Sequence, residues 1–296
     1  MKRMKAGDFP REVLTIFDGY VHGEIDRREF LDRAAKFTVG GMSAAAMLES
    51  LRPNYALAQQ VPKDDPRIHA EYLPYPSPKG SGTMRGYFAR PVKPSGKLPG
   101  IVVVHENRGL NPYVEDVARR LAVDNYVAFA PDALTPTGGY PGDDEKGAKL
   151  FASLDAAKRT EDLLAAIPFL KSHPECNGSV GAVGFCFGGG IVNMMAVRFP
   201  DLGAAVPFYG VQPSAADTAK IKAPLLIHYA GRDERIDAGW PAWKEALDRN
   251  HVGYREHTYP NVEHGFHNDT TPRYDEAAAK LAWSRTLAFF GEHLRR

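Results

Sequence analysis

The sequence predicts an α/β fold, in which a mostly parallel sheet is covered by helices on both faces and is preceded by an N-terminal helical extension. Short apolar runs such as residues 100–105, typical of strands buried on both faces, alternate with helical segments from about residue 83 onward. The first sixty residues lack this alternation. We therefore divide the chain into an extension (1–60), a proline-rich linker (61–82) and an α/β domain (83–296).

The elements of the α/β domain follow from the apolar pattern in chain order. The predicted strands are residues 83–90, 100–105, 126–130, 180–185, 204–208, 225–229 and 254–259. The predicted helices are residues 113–123, 155–172, 188–198, 240–250 and 273–294. Residues 131–144 are rich in glycine, proline and acids and predict a long irregular loop, whereas the prolines of 61–82 favour an extended linker or arm.

The composition indicates a globular protein with a small-molecule partner. Of 296 residues, 44% are hydrophobic and 25% are charged, which is ordinary for globular domains. The formal net charge is +1, so the overall charge does not favour nucleic acid, and no apolar run reaches the roughly 18 residues of a membrane span. The two cysteines, Cys176 and Cys186, predict neither a disulfide framework nor a thiolate metal cluster.

The extension has two interpretations. Residues 26–31 (Asp-Arg-Arg-Glu-Phe-Leu) resemble a twin-arginine export motif, and a weakly apolar stretch (37–48) and a small-x-small sequence (56–58) follow it. Removal of residues 1–58 would place the protein in the periplasm. Alternatively, the extension forms amphipathic helices retained in a cytoplasmic protein, where it packs on the body or builds a homodimer. Helical spacing supports this second interpretation at Val13, Ile16, Phe17, Tyr20 and Val21.

The strand at residues 180–185 leads into Gly-Phe-Cys-Phe-Gly-Gly and then a helix. A buried strand, a sharp turn bracketed by glycines and a helix form the nucleophile-elbow pattern, here with Cys186 in the place of serine. The N-terminus of the following helix favours a thiolate. The alternative interpretation is a small buried core cysteine, but the bracketing glycines favour the catalytic role.

A nucleophile of this kind needs a base and an orienting acid, which follow it along the chain in the order acid, histidine. Asp233 lies after the strand at 225–229, and His264 lies after the strand at 254–259. Taken singly, Asp233 would be interpreted as a helix cap and His264 as a surface imidazole. A metal cluster of His264, His267, Glu263 and Asp269 is a further alternative, but no second group at metal spacing supports it, so we predict no metal and no cofactor.

The strand at residues 100–105 ends in Glu-Asn-Arg-Gly, which places Glu106 at the same edge of the sheet as Cys186. The alternative for Glu106 is a helix cap or a solvated acid. In a nucleophile-elbow enzyme the oxyanion is held by the amide after the nucleophile and by an amide of this loop. The backbone N–H groups of Phe187 and Asn107 are therefore the predicted oxyanion hole.

These motifs together resemble the dienelactone hydrolase family of α/β-hydrolases over about residues 83–294. The resemblance implies a catalytic triad of Cys186, Asp233 and His264, with Glu106 as the carboxylate that takes the thiol proton when substrate binds. It also implies that Tyr209 lies beside the substrate pocket. One position departs from the family pattern, because Asn268 stands where an arginine binds the substrate carboxylate; Arg108 or Arg273 would then have to compensate.

The expected function is therefore a cofactor-free hydrolase of esters or lactones that acts through a thioester acyl-enzyme, with neither nucleic acid nor a membrane as partner. Acyl transfer or thioester cleavage on the same triad is an alternative within enzymes. A non-catalytic binding or scaffold protein that retains the pocket is an alternative outside them.

Overall fold

The computed structural model describes residues 4–37 and 40–295, and its centre is an eight-stranded sheet. In chain order the strands are β1 (Ile68–Ser77), β2 (Gly82–Pro91), β3 (Leu98–Val104), β4 (Val127–Pro131), β5 (Cys176–Phe185), β6 (Ala204–Phe208), β7 (Leu225–Ala230) and β8 (Tyr254–Tyr259). Their order across the sheet is β1-β2-β4-β3-β5-β6-β7-β8. All neighbours from β4 to β8 are parallel, which confirms the predicted mostly parallel sheet.

Helices cover both faces of the sheet. They are α1 (Arg11–His22), α2 (Arg27–Ala34), α3 (Ala44–Leu51), α4 (Pro112–Val123), α5 (Asp144–Ser153), α6 (Ala156–Leu164), α7 (Ala166–Ser172), α8 (Phe187–Arg198), α9 (Ala215–Thr218), α10 (Glu234–Asp237), α11 (Trp240–Arg249) and α12 (Glu276–Leu294). Along β3, Ile101 and Val103 join the apolar core under α4 and α12, and Val102 and Val104 join the core under α7 and α8. This two-sided burial explains why the parallel strands are apolar throughout.

The proline-rich segment is a strand in part, and this corrects the linker predicted for residues 61–82. β1 pairs antiparallel with β2, with Pro74 opposite Arg85 and Pro76 opposite Thr83. Because β1 is an edge strand, a proline that cannot donate to the ladder is tolerated there. The single helix predicted over 155–172 is also divided, because Pro168 cannot donate a hydrogen bond to the Leu164 carbonyl four residues earlier.

The first three helices form an apolar cluster of their own, separate from the two cores of the sheet. Val13, Phe17, Phe30 and Leu48 are buried in this cluster, and Tyr20 is half-buried against it. The segment joins the body by backbone hydrogen bonds from Ala6 N–H to the Pro272 carbonyl and from Asn54 N–H to the Thr270 carbonyl, both 2.8 Å long.

The predicted export motif lies at the start of α2. Asp26 caps this helix by accepting a hydrogen bond of 2.8 Å from Glu29 N–H, and the two arginines occupy its first turn. Residues 38 and 39 of the predicted apolar stretch, and the basic residues before Met4, lie outside the described residues. None of the described helices is both long and apolar enough to cross a membrane.

Candidate active site

Cys186 occupies a sharp turn between β5 and α8. Its φ of 56° and ψ of −116° are unusual for a residue with a side chain, because positive φ crowds the Cβ atom. A Cβ atom at Gly184 would lie 2.2 Å from the Gly188 carbonyl oxygen, and one at Gly188 would lie 2.3 Å from the Val104 carbonyl oxygen. Both bracketing glycines are therefore required for the helix to approach the strands so closely, as the motif predicts.

Asp233 and His264 meet beside this turn. Asp233 follows β7, His264 lies on the loop after β8, and His264 Nδ1 is 2.5 Å from Asp233 Oδ2. Both side chains are buried, and within the part of the chain that the structure describes no polar atom satisfies His264 Nε2 by the usual hydrogen-bond geometry. Since Nδ1 faces the carboxylate, the other nitrogen is free to face Cys186. The structure thus brings the three predicted residues together from distant parts of the chain.

The predicted Glu106 lies at the end of β3, inside the same site. Its Oε2 accepts a hydrogen bond of 3.0 Å from Nδ2 of Asn268, the residue at the position where the resemblance implies an arginine. Asn107 and Arg108 follow Glu106, and both side chains donate to the Val21 carbonyl of the extension, at 3.0 and 2.9 Å. The loop that was predicted from the sheet edge therefore also anchors α1.

A residue of the extension that the sequence did not indicate also contacts Cys186. His22, the last residue of α1, has its Nε2 atom 3.4 Å from Cys186 Sγ. Its ring packs edge-on against the His264 ring, with centroids 4.8 Å apart. Nothing in the local sequence connects positions 22 and 186. Only the packing of the extension on the α/β domain reveals the contact.

The electrostatics of the site favour an ionised thiol. Burial alone would raise the pKa of Cys186, but the charge of His264 and the hydrogen bond with His22 lower it well below its usual value. Burial opposes the charge on His264 too, but the Cys186 thiolate and the Asp233 carboxylate raise its pKa. Burial and the neighbouring thiolate also raise the pKa of Glu106, which Arg273 opposes. The arrangement favours a thiolate beside a protonated His264.

A cavity of about 560 Å³ opens onto Cys186 and His264. From the body it is lined by Glu106, Asn107, Arg108, Asn268 and Arg273, and from the extension by Phe17, Tyr20, Val21, Ile25 and Leu51. Tyr209, predicted to bind substrate, is not among its lining residues. Tyr209 is instead fully buried, and its ring packs against the His264 ring with centroids 4.8 Å apart.

The predicted metal alternative is not assembled among the described residues. His267 Nδ1 is 2.6 Å from the Tyr113 hydroxyl, and Asp269 pairs with Arg120 at 2.6 Å, so both are engaged away from His264. A different group, His22, Cys186 and His264, offers three ligand atoms within 4.8 Å of one another. Arg235 Nη2, however, is 2.8 Å from His22 Nε2, and this guanidinium charge disfavours a cation there.

A mostly parallel sheet with a nucleophile turn after β5, an acid after β7 and a histidine after β8 defines an α/β-hydrolase. The chain belongs to the dienelactone hydrolase family, whose model matches residues 84–294. A second model, described as YqhI-like, matches residues 1–36 of the extension.

Individual relatives agree with this assignment. The chain is 60% identical over 114 residues to the Escherichia coli protein named "Putative hydrolase fragment YghX", covering 38% of this chain and 97% of that protein. It is 32% identical over 231 residues to the Salmonella typhi "Putative carboxymethylenebutenolidase", covering 73% and 85%. The crystal structure titled a "Putative Dienelactone Hydrolase" from Klebsiella pneumoniae is 28% identical with a TM-score of 0.67, covering 76% of this chain and 99% of that one. The chain is therefore a dienelactone hydrolase-like hydrolase.

Proposed function

We propose that this hydrolase cleaves carboxylic esters or lactones through a covalent thioester on Cys186. The observation that carries the proposal is the meeting of a strained, buried cysteine with the Asp233–His264 pair at the floor of a cavity. The name of the Salmonella typhi relative, a carboxymethylenebutenolidase, supports a lactone or ester as the substrate class.

In the first step the Cys186 thiolate attacks the substrate carbonyl carbon. The negative charge that develops on the carbonyl oxygen is stabilised by the backbone N–H groups of Asn107 and Phe187. The close approach of Gly188 to the end of β3 supports this pairing, because it brings the first turn of α8 beside the loop that begins at Glu106. Protonated His264 gives its Nε2 proton to the leaving oxygen, and the thioester remains.

In the second step His264, now neutral, takes a proton from water, and the resulting hydroxide attacks the thioester. Asp233 fixes the ring through its Nδ1 atom, so that Nε2 faces the reacting centre. Collapse of the intermediate releases the carboxylic acid and restores the thiolate. The family resemblance implies that Glu106 takes the thiol proton before the first step. Burial and the neighbouring sulfur raise the pKa of Glu106, which makes its carboxylate a better acceptor for that proton.

The experiment is a panel of neutral aryl esters and lactones assayed with matched cysteine variants. Cys176 is the second buried cysteine and lies at the opposite end of β5, so Cys176→Ala is the control for Cys186→Ala. We expect turnover that survives in Cys176→Ala and is lost in Cys186→Ala. Turnover that survives in both variants would contradict the proposed mechanism.

The same assay separates the alternatives. An added alcohol that captures most of the acyl group would indicate an acyltransferase, and a strong preference for acyl thioesters would indicate a thioesterase. A folded protein without turnover on any member of the panel, and without an adduct on Cys186, would favour a binding or scaffold protein.

A further inference from the structure

His22 and Asp18 form a second imidazole–carboxylate pair beside the nucleophile. His22 Nδ1 lies 3.2 Å from Asp18 Oδ2 and 2.8 Å from the Asp18 carbonyl oxygen. Both neighbours of Nδ1 are acceptors, so this nitrogen carries a proton, and Nε2 is the atom that faces Cys186 Sγ at 3.4 Å. Cys186 thus stands between two such pairs, one from the body and one from the extension.

The position of His22 suits a partner for the thiolate. It is the last residue of α1, where the carbonyl ends of the helix favour a positive charge. It does not line the cavity, although its neighbours Val21 and Gly23 do. The imidazole therefore contacts the sulfur without filling the space that a substrate needs.

We propose that His22, oriented by Asp18, is a further catalytic residue that accepts the Cys186 proton and keeps the nucleophile ionised before substrate binds. The Sγ–H bond breaks, its electron pair remains on sulfur, and the proton forms a bond to His22 Nε2. His264 is then left to serve the leaving oxygen and the attacking water. The inference rests on Cys186 being the nucleophile of the proposed function.

The charged groups around His22 have opposing effects on its protonation. Asp18 favours the imidazolium, and the Cys186 thiolate does so from the other side of the ring. The nearby imidazole of His264 opposes a second positive charge, and so does Arg235 of α10, whose Nη2 is 2.8 Å from His22 Nε2. Because a guanidinium only donates, the Arg235–His22 hydrogen bond breaks when Nε2 takes the thiol proton. Arg235 is one-third exposed and lies 3.7 Å from Asp18, so its charge can turn to that carboxylate and to water.

Glu106 is the competing candidate for the thiol proton. Glu106 Oε2 accepts a hydrogen bond from Asn268, whereas Cys186 Sγ lies 3.4 Å from His22 Nε2. His264 also interacts with the thiol and lowers its pKa, but the proposed function uses its proton for the leaving oxygen. A carboxylate near the sulfur also repels the thiolate. The two candidates therefore have different effects on the pKa of Cys186. Loss of His22 should raise this pKa, and loss of the Glu106 charge should not.

The test measures the rate of iodoacetamide alkylation of Cys186 as a function of pH, followed by intact mass in a Cys176→Ala background. We expect His22→Gln to raise the midpoint of the profile by about one to two pH units, because an opposite charge at this distance is removed. Alkylation below the midpoint should then slow about ten-fold or more. Glu106→Gln should leave the midpoint unchanged or lower it.

A structural control is Leu48→Ala, which loosens the same apolar cluster of the extension without contacting the cavity or the thiol. Under conditions in which the extension stays docked, the midpoint of Leu48→Ala should equal that of the parent. A wild-type midpoint in His22→Gln, or an equal rise in His22→Gln and Leu48→Ala, would overturn the inference.

Alkylation needs no substrate, so the two proposals fail separately. If no ester or lactone is turned over but His22→Gln raises the midpoint, the proposed hydrolysis fails and the role of His22 as a base for the thiol stands. If Cys186→Ala abolishes turnover and His22→Gln leaves both the midpoint and the acidic limb of the kcat/KM profile unchanged, only the inference fails.

Discussion

Asn268 donates a hydrogen bond of 3.0 Å to the Glu106 carboxylate at the wall of the cavity. The oxygen of the same amide accepts hydrogen bonds from the Thr270 N–H and hydroxyl groups, so the side chain is held in one orientation. The family resemblance implies an arginine for a substrate carboxylate at this position, whereas here an amide holds a carboxylate of the protein itself. This hydrogen bond therefore affects whether the cavity favours a neutral or an anionic substrate.

We expect neutral short-chain esters or lactones to be turned over at least as efficiently as an anionic dienelactone. Of the two body arginines at the cavity, Arg108 contacts the Val21 carbonyl and Arg273 contacts Asp18 at 3.1 Å. Three further arginines of the extension line the cavity: Arg27, Arg28 and Arg52. Asn268→Arg should shift the ratio of kcat/KM values toward the anion by one to two decades, since a charge-assisted pair contributes about 1.5–3 kcal/mol. A native preference for the anion that Arg108→Ala or Arg273→Ala abolishes would show that the carboxylate is bound elsewhere.

The choice of nucleophile predicts the effect of two substitutions at one position. Cys186→Ala should lower kcat by a factor on the order of 10⁴ to 10⁶, and Cys186→Ser should retain only a trace, because a serine hydroxyl is not ionised by these imidazoles. Urea unfolding should show a change within about 1 kcal/mol for either variant. Near-native rates in Cys186→Ala would exclude the mechanism.

The proposed role of His264 in the second step predicts an acyl-enzyme that can be detected by intact-mass measurement. With an activated aryl ester, whose phenolate leaves without a proton from His264, His264→Asn should still be acylated, although more slowly than the wild type. It lacks the base for water, so a thioester should accumulate as added mass on the intact protein. The Cys186→Ala variant is the negative control. An unmodified His264→Asn protein after incubation with a substrate that the wild type hydrolyses would contradict this division of roles.

Three buried histidines away from the reacting atoms predict how stability depends on pH. Burial lowers the pKa of His105, His228 and His267 below the unfolded value of 6.5. Below pH 6.5 the unfolded chain binds protons that the folded chain does not. The free energy of unfolding therefore decreases as the pH is lowered, by up to about 1.4 kcal/mol per group and pH unit. The raised pKa of His22 and of His264 stabilises the fold at pH 6.5 and below, and that stabilisation is lost only as the pH rises through their folded values.

Urea unfolding at pH 6.5 and pH 5 measures this dependence. His228→Gln should flatten it, while the same change at the exposed His69 should not. Equal slopes for the wild type and His228→Gln would contradict the assignment.

The extension gives a prediction about processing. Twin-arginine export would leave a mature chain that begins near Gln59, whereas a retained arm would give the full-length mass and a stable packing of α1 on the body. Intact mass of the protein isolated from its native host distinguishes the two. A full-length product that forms a dimer, together with loss of that dimer on deletion of residues 1–58, would exclude export.

The sequence predicted the parallel part of the sheet well, because strands buried on both faces are continuous apolar runs with recognisable ends. It failed at β1, where Pro74 and Pro76 lie in a strand that an edge position makes possible. It could place Cys186, Asp233 and His264 because each follows a predictable strand. It could not find His22, because a contact across 164 positions depends on how a separate helical cluster packs.

Both Asn107 and Arg108 fasten the end of α1 to the loop that forms the opposite wall of the cavity. A small helical cluster held by its own core and a few bonds to the body is a unit that can open locally while the sheet stays folded. Each such opening removes one wall of the cavity and takes His22 away from the thiol at the same moment. If the site works as proposed, only molecules with a docked extension turn over substrate, and we expect mild heat or denaturant to reduce turnover before the sheet itself unfolds.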